Sequence, residues 1–145
     1  MKKLAFRFGL WMLLGFIIFF LLMHLLGLSN NYDLRVLNGV IHLGVIYMTI
    51  KAYRSQYPDT VSNYVSGTAM GMYVSLVGVL GFTIFMILFL SLSPGFLHEL
   101  RENMPMGDYI TPITASLFIL VEGLVISLIG SYILTRVIDM NLART

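Results

Sequence analysis

The segment TAMGMYVSLVGVLGFTIFMILFLSL, residues 68–92, decides the fold class because it is strongly apolar and contains no charged side chain. An α-helix rises ~1.5 Å per residue and the hydrocarbon core of a bilayer is ~30 Å thick, so about 20 apolar residues cross it. The segment exceeds that length. It therefore predicts a membrane-spanning helix, and we expect that helix to begin near residue 66.

The composition of the whole chain also indicates a protein that folds in lipid. Its 145 residues are 58% hydrophobic and 11% charged, whereas soluble domains average about 45–50% and about 25%. The length allows a single domain over residues 1–145. Cysteine is absent, which excludes disulfides and thiolate metal sites. The net charge of +2, without a basic cluster, argues against nucleic-acid binding.

Three further apolar runs predict three further spans. The first run, FGLWMLLGFIIFFLLMHLLGL, is longer than the ~7–15-residue apolar region of a signal peptide and has no small-residue cleavage motif after it, so we expect a retained helix. The second run is short, and Lys51 and Arg54 are expected to extend outward to the membrane surface so that it can cross. The predicted fold class is all-α, a polytopic membrane protein with four transmembrane helices. The four spans are expected at about 8–28, 34–53, 66–92 and 112–135.

Short polar segments connect these spans. SNNYD, residues 29–33, predicts a tight turn because Asn and Asp compete for backbone hydrogen bonds. Thr111 followed by Pro112 is typical of a helix start. Between the third and fourth spans, FLHELRENM at residues 96–104 has its apolar residues on one helical face, which suits a short interfacial helix. A solvated loop is an equal alternative for that segment.

The basic residues predict the orientation in the membrane. If the N-terminus is cytoplasmic, Arg35 and Arg101 lie outside and the other seven of the nine Lys and Arg residues lie inside, in agreement with the positive-inside rule. The seven are Lys2, Lys3, Arg7, Lys51, Arg54, Arg136 and Arg144. We therefore expect a multi-pass protein of the bacterial inner membrane with both termini in the cytoplasm.

Small residues recur at helical spacing on the third and fourth spans. Such stripes let the backbones of membrane helices approach closely. The third span carries Gly67, Gly71, Ser75 and Gly78. The fourth span carries Gly123 and Ser127. We expect these positions to pack helices together, and contact within one chain and contact between subunits are both open.

The strongest candidate for a functional site is Glu122, near the middle of the fourth span. An ionised carboxylate at that depth costs at least ~2.5–3.5 kcal/mol, so a partner or water is required. Its neighbours three and four residues away are apolar, so the partner must come from another helix. His42 lies near the middle of the second span, with Asn38 one turn away. The sequence therefore predicts an intramembrane polar cluster of Glu122, His42 and Asn38.

Three roles are open for this cluster: a hydrogen bond that holds helices together, a site for a proton or polar ligand, and contact of Glu122 with a partner protein. The sequence shows no nucleophile beside a base and no H-E-x-x-H motif, so we expect no catalytic residue, no metal and no cofactor. The expected function is a non-enzymatic accessory or interaction subunit whose partners are the lipid bilayer and either its own copies or other membrane proteins. The alternative is a small oligomeric transporter or ion or proton conductor that uses Glu122 and His42. An intramembrane enzyme is a third, weaker hypothesis.

Four stretches resemble a family whose function is unknown. They are MKKLAFRFGL at 1–10, IKAYRSQYPD at 50–59, VSNYVSGTAMGMYVSL at 61–76 and SPGF at 93–96. The chain is similar to that family of small bacterial, Bacteroidetes-type, four-span integral membrane proteins, in which the outer segment is often longer and more charged than HELRENMPMGDY here. The resemblance implies the four-span topology and a membrane location. It implies no activity and no binding residue.

Overall fold

The structure, a computed structural model, describes residues 2–28, 32–61, 63–104 and 106–143, and of residues 32–35 the backbone alone. The predicted turn at 29–33 therefore lies largely outside the described residues. The predicted membrane orientation counts Arg35 and Arg144, whose side chains also lie outside the described residues.

Five α-helices make up nearly all of the described chain, and the described residues contain no strand. The helices are α1 (Lys2–Leu25), α2 (Tyr32–Gln56), α3 (Tyr64–Leu92), α4 (Pro94–Asn103) and α5 (Pro112–Leu142). Short 3-10 turns at Pro58–Thr60 and Gly107–Tyr109 complete the connections. By length and composition α1, α3, α5 and the part of α2 from Val36 can each cross a membrane. The prediction of an all-α protein with four transmembrane helices is confirmed.

Side chains fix the starts of the two longest helices. Asn63 caps α3, because its side-chain oxygen accepts the backbone N–H groups of Val65 and Ser66 at 3.1 and 3.4 Å. Thr111 caps α5 as predicted, through a reciprocal pair of bonds with Thr114. Both caps satisfy backbone donors that a helix start leaves unpaired.

α3 is the central helix of the bundle and packs against α1, α2 and α5. Val74 in its middle is 0% exposed. Gly78 of α3 faces Met12 of α1, and Gly71 faces Ile46 of α2. α1 runs parallel to α3, since Gly9 lies against Val77 and Gly81 lies against Leu13. α2 and α5 run in the opposite direction, so the start of α1 and the end of α5 lie at the same end of the bundle.

The segment between the third and fourth spans forms helix α4, so a helix is confirmed there over a solvated loop, and its position at the membrane surface stays a prediction. Leu97 is buried, and the charged residues of α4 are exposed. Phe96 sits over the ends of α1 and α3, with ring centroids 6.2 Å from Phe20 and 5.8 Å from Phe89. Arg101 then donates from Nε to the Ile110 carbonyl at 2.8 Å and closes the segment onto the start of α5.

Candidate functional site

All four long helices meet at His42, in the middle of α2. The residue is 3% exposed, and its Nε2 lies 3.0 Å from Ser75 Oγ of α3 and 3.1 Å from Ser127 Oγ of α5. Phe16 of α1 packs edge-on against the imidazole, with ring centroids 5.5 Å apart. The His42 ring therefore links α2 to α3 and α5 by polar contacts and to α1 by an aromatic contact.

The direction of these hydrogen bonds follows from Ser127. Its hydroxyl lies within hydrogen-bond distance of the Gly123 carbonyl one turn earlier in α5 as well as of the imidazole. When it donates to the carbonyl, its oxygen accepts from His42 Nε2, which then carries the ring proton. Ser75 Oγ lies close enough to the same nitrogen to share that proton.

The structure places the three members of the predicted cluster in different surroundings. His42 is buried, and Asn38, one turn earlier, is half-buried with its Oδ1 lacking a hydrogen-bond partner among the described residues. Glu122 lies on the exposed side of α5. Ser75 and Ser127, which the sequence suggested as packing positions, are the residues brought to His42. The predicted contact between Glu122 and His42 stays a prediction.

The small residues of α3 and α5 face each other within the one chain. A Cβ on Gly67 would lie 2.5 Å from Thr135 Cγ2, and a Cβ on Gly71 would lie 2.8 Å from Ser131 Cβ. From the other side, a Cβ on Gly123 would meet Val79 Cγ1 at 2.6 Å. These glycines let the two backbones approach to a distance that a larger residue would prevent.

Gly78 faces a different neighbour from the rest of its stripe. A Cβ there would lie 2.6 Å from the Met12 sulfur, so this glycine accommodates α1. The small residues of α3 therefore lie at two interfaces. Gly67 and Gly71 contact α5, and Gly78 contacts α1.

A second polar site, around Arg54 in the last turn of α2, was missed by the sequence analysis. The Arg54 side chain is 0% exposed and that of Asp139 in α5 is 14% exposed. Arg54 Nε donates to Asp139 Oδ1 at 2.9 Å and Nη2 donates to Oδ2 at 2.8 Å, which is a two-point ion pair. The pair joins α2 to α5.

The remaining Arg54 donors bind the connection between α2 and α3. Nη1 donates to the Thr60 carbonyl and, at 2.9 Å, to Ser66 Oγ, and Nη2 donates to the Asn63 carbonyl at 3.1 Å. All five N–H groups of the guanidinium therefore have an acceptor. A Cβ on Gly67 would lie 2.8 Å from Nη2, so this glycine also makes room for the guanidinium.

The prediction that Arg54 extends outward to the membrane surface is wrong. A buried guanidinium is tolerated when a counter-charge and enough acceptors surround it, and Asp139 with the residues just after α2 supplies both. The sequence feature that could have indicated this pair is that Arg54 and Asp139 follow the apolar parts of two spans that end on the same side of the membrane. Their separation of 85 residues hid the pairing.

A family profile described as a protein of unknown function, DUF4199, matches residues 7–107. The chain belongs to the DUF4199 family. The match includes His42, Arg54 and Ser75, whereas Ser127 and Asp139 lie beyond it in α5. The resemblance to a family of unknown function with four apolar helices is thereby confirmed, and the bacterial, Bacteroidetes-type origin stays a prediction. Nothing among the curated proteins or the solved structures matches it.

Double-mutant cycles test the His42 site. His42→Ala combined with Ser75→Ala or with Ser127→Ala is expected to show a coupling of about 0.6 to 1.7 kcal/mol, the range for hydrogen bonds between membrane helices. Unfolding free energies in mixed micelles give the values. The same cycle with Glu122→Gln tests the predicted Glu122–His42 contact. Additive effects for both serines would contradict hydrogen bonds from His42 to Ser75 and Ser127.

Proposed function

We propose that this DUF4199 protein is a non-enzymatic accessory or interaction subunit of the bacterial inner membrane. The observation that carries the proposal is the His42 site, where the central polar group of the bundle is bound by Ser75 and Ser127 of the same chain. A polar group held in this way stabilises helix packing. A conducting group would need access to water.

The packing around His42 supports the same proposal. Ile46, Val74 and Ser75 on the neighbouring turns are all at 0% exposure, so the surroundings of His42 are closed to solvent. A groove of about 510 Å³ lies at the surface. It is lined by Lys51, Arg54, Ser55, Pro58, Val61 and Leu142, and neither His42 nor Glu122 contributes to it.

The exposed cations support cytoplasmic termini. We call the end of the bundle that holds the start of α1 and the end of α5 the basic end. Its exposed cations include Lys2, Lys3, Lys51 and Arg136. Basic residues next to the ends of membrane spans are retained on the cytoplasmic side, so the proposal places the basic end in the cytoplasm.

Flux measurements in proteoliposomes separate the proposal from the conductor alternative. Purified wild-type protein and Glu122→Gln are expected to give the same proton and cation leak as protein-free vesicles, followed with an entrapped pH-sensitive dye at a fixed membrane potential. A flux that depends on the protein and is lost in Glu122→Gln would replace the proposal by the conductor hypothesis.

Photo-crosslinking in intact membranes tests the interaction role directly. A photoreactive phenylalanine is placed at one exposed apolar position on each of three helices: Ile18 at 56%, Ile84 at 59% and Val125 at 52% exposure. At least one position is expected to give a discrete protein adduct, and a mass increase of 16.4 kDa would indicate a second copy of the chain. Adducts with lipid alone at all three positions would contradict an accessory or interaction role.

A further inference from the structure

A groove of about 320 Å³ lies between the first turns of α1 and the side of α3. It is lined by Lys2, Lys3, Phe6, Tyr73 and Val77. Both lysines are exposed, and Phe6 and Tyr73 are 57% and 52% exposed. The groove is thus an open surface feature with an almost wholly apolar lining, to which two exposed lysines contribute their side chains.

Close contact between α1 and α3 defines the inner end of this groove. A Cβ on Gly9 would lie 2.5 Å from Val77 Cβ, so the two helices touch there. Toward the start of α1 the facing residues are larger and exposed, and a gap opens between Phe6 and Tyr73. The groove therefore closes at Gly9 and Val77 and opens toward the first turn of α1, which carries Lys2 and Lys3.

The charge at the outer end has no counter-charge on the helices that form the groove. The sequences of α1 and α3 contain no Asp or Glu. Lys2 and Lys3 also lie in the first turn of α1, where the positive end of the helix dipole disfavours cations. Arg7 is exposed one turn after Lys3 and adds to the positive potential. An anion is the ligand that this arrangement favours.

The order of groups along the groove is that of a phospholipid in a bilayer. The lysines lie at the basic end of the bundle, which the membrane topology under the proposed function puts at the level of the headgroups, and Tyr73 is an aromatic residue of the type enriched at that boundary. Val77 is level with Gly9, about one turn beyond Phe6 and Tyr73, and so lies further from the basic end. We propose that this groove binds an anionic phospholipid, with its phosphate against Lys2 and Lys3 and an acyl chain along Phe6 and Val77. Basic pockets between membrane helices are suited to such headgroups.

A tryptophan placed in the groove tests this binding. Trp11 is the single tryptophan of the chain, so Phe6→Trp in a Trp11→Phe background gives one reporter in the groove. Its fluorescence is quenched by dibrominated phosphatidylglycerol or dibrominated phosphatidylcholine, mixed into vesicles of the unbrominated lipids. The quenching curves are expected to show a preference for phosphatidylglycerol of about fivefold for each lysine at low salt. Lys2→Gln/Lys3→Gln is expected to bring the preference close to one.

Two controls locate the effect. Lys51→Gln removes an exposed lysine at the basic end outside this groove, and it is expected to leave the preference unchanged. Wild-type Trp11, which is exposed but does not line the groove, is expected to report no preference. Equal quenching by both lipids in the groove, or a preference that survives Lys2→Gln/Lys3→Gln, would overturn the proposal. Displacement by inorganic phosphate beyond that by chloride at equal ionic strength would also overturn it, since the ligand would then be the free anion.

Discussion

Arg54→Ala is expected to lower the free energy of unfolding by about 3 kcal/mol or more, the effect of breaking a buried ion pair by removing one partner. The substitution leaves the Asp139 carboxylate, 14% exposed, without its two donors. It also leaves the Thr60 and Asn63 carbonyls without Arg54 as a donor. Thermal or denaturant unfolding in mixed micelles, followed by far-UV circular dichroism, measures the loss.

Matched variants separate the Arg54 contacts from a general effect of charge. Lys51→Ala removes an exposed cation from the same helix end and should change stability by less than about 0.5 kcal/mol. Arg54→Lys should restore only part of the loss, because an ammonium has three donors and lacks the planar geometry that binds both Asp139 oxygens. If Arg54→Ala unfolds like Lys51→Ala, the buried pair does not hold the bundle together.

A further variant tests why the pair stabilises the fold. Arg54→Met combined with Asp139→Leu removes both charges together, and buried pairs replaced by apolar residues of similar volume are often neutral. The double variant is therefore expected to be more stable than Arg54→Ala. Its remaining deficit would measure the bonds from Arg54 to Thr60, Asn63 and Ser66, which a methionine cannot make.

The spans could be predicted from sequence because lipid imposes a simple rule on length and polarity. A segment such as residues 68–92 has no soluble alternative that would hide its apolar side chains. Gly67, Gly71 and Gly123 could be identified in the same way, because small residues at helical spacing have few other uses in a span. Span hydrophobicity and the spacing of small residues are both local properties, so each can be recognised within one stretch of sequence.

The polar sites could not be predicted in the same way because their partners are distant in sequence. His42 lies 33 residues from Ser75 and 85 from Ser127, and which of several polar residues it meets depends on how the helices are rotated. Glu122 is the charged residue nearest the middle of a predicted span, whereas the buried ion pair lies at the helix ends, between Arg54 and Asp139. Amphipathic spacing indicated helix α4, but the contacts of Phe96 with Phe20 of α1 and Phe89 of α3 depend on how those helices are placed.

Gly71→Val is expected to destabilise the bundle by about 1–3 kcal/mol, the usual effect of adding volume to a packed interior. Even the first added carbon would lie 2.8 Å from Ser131 Cβ and 3.0 Å from Ile46 Cγ2, so α3 would have to move away from both α5 and α2. Ser131 is fully buried and cannot turn aside into solvent. The loss is measured by the same unfolding experiment as for Arg54.

Gly44 offers the matched control for Gly71. It lies in the middle of α2, and a Cβ there would have nothing within 4 Å. Because alanine favours a helix over glycine by about 0.8–1.0 kcal/mol, Gly44→Ala should leave stability unchanged or raise it, whereas Gly71→Ala should already lower it. Equal effects of the two alanine substitutions would show that helix propensity alone, and not the close approach of α3 to α5, determines what glycine does in this chain.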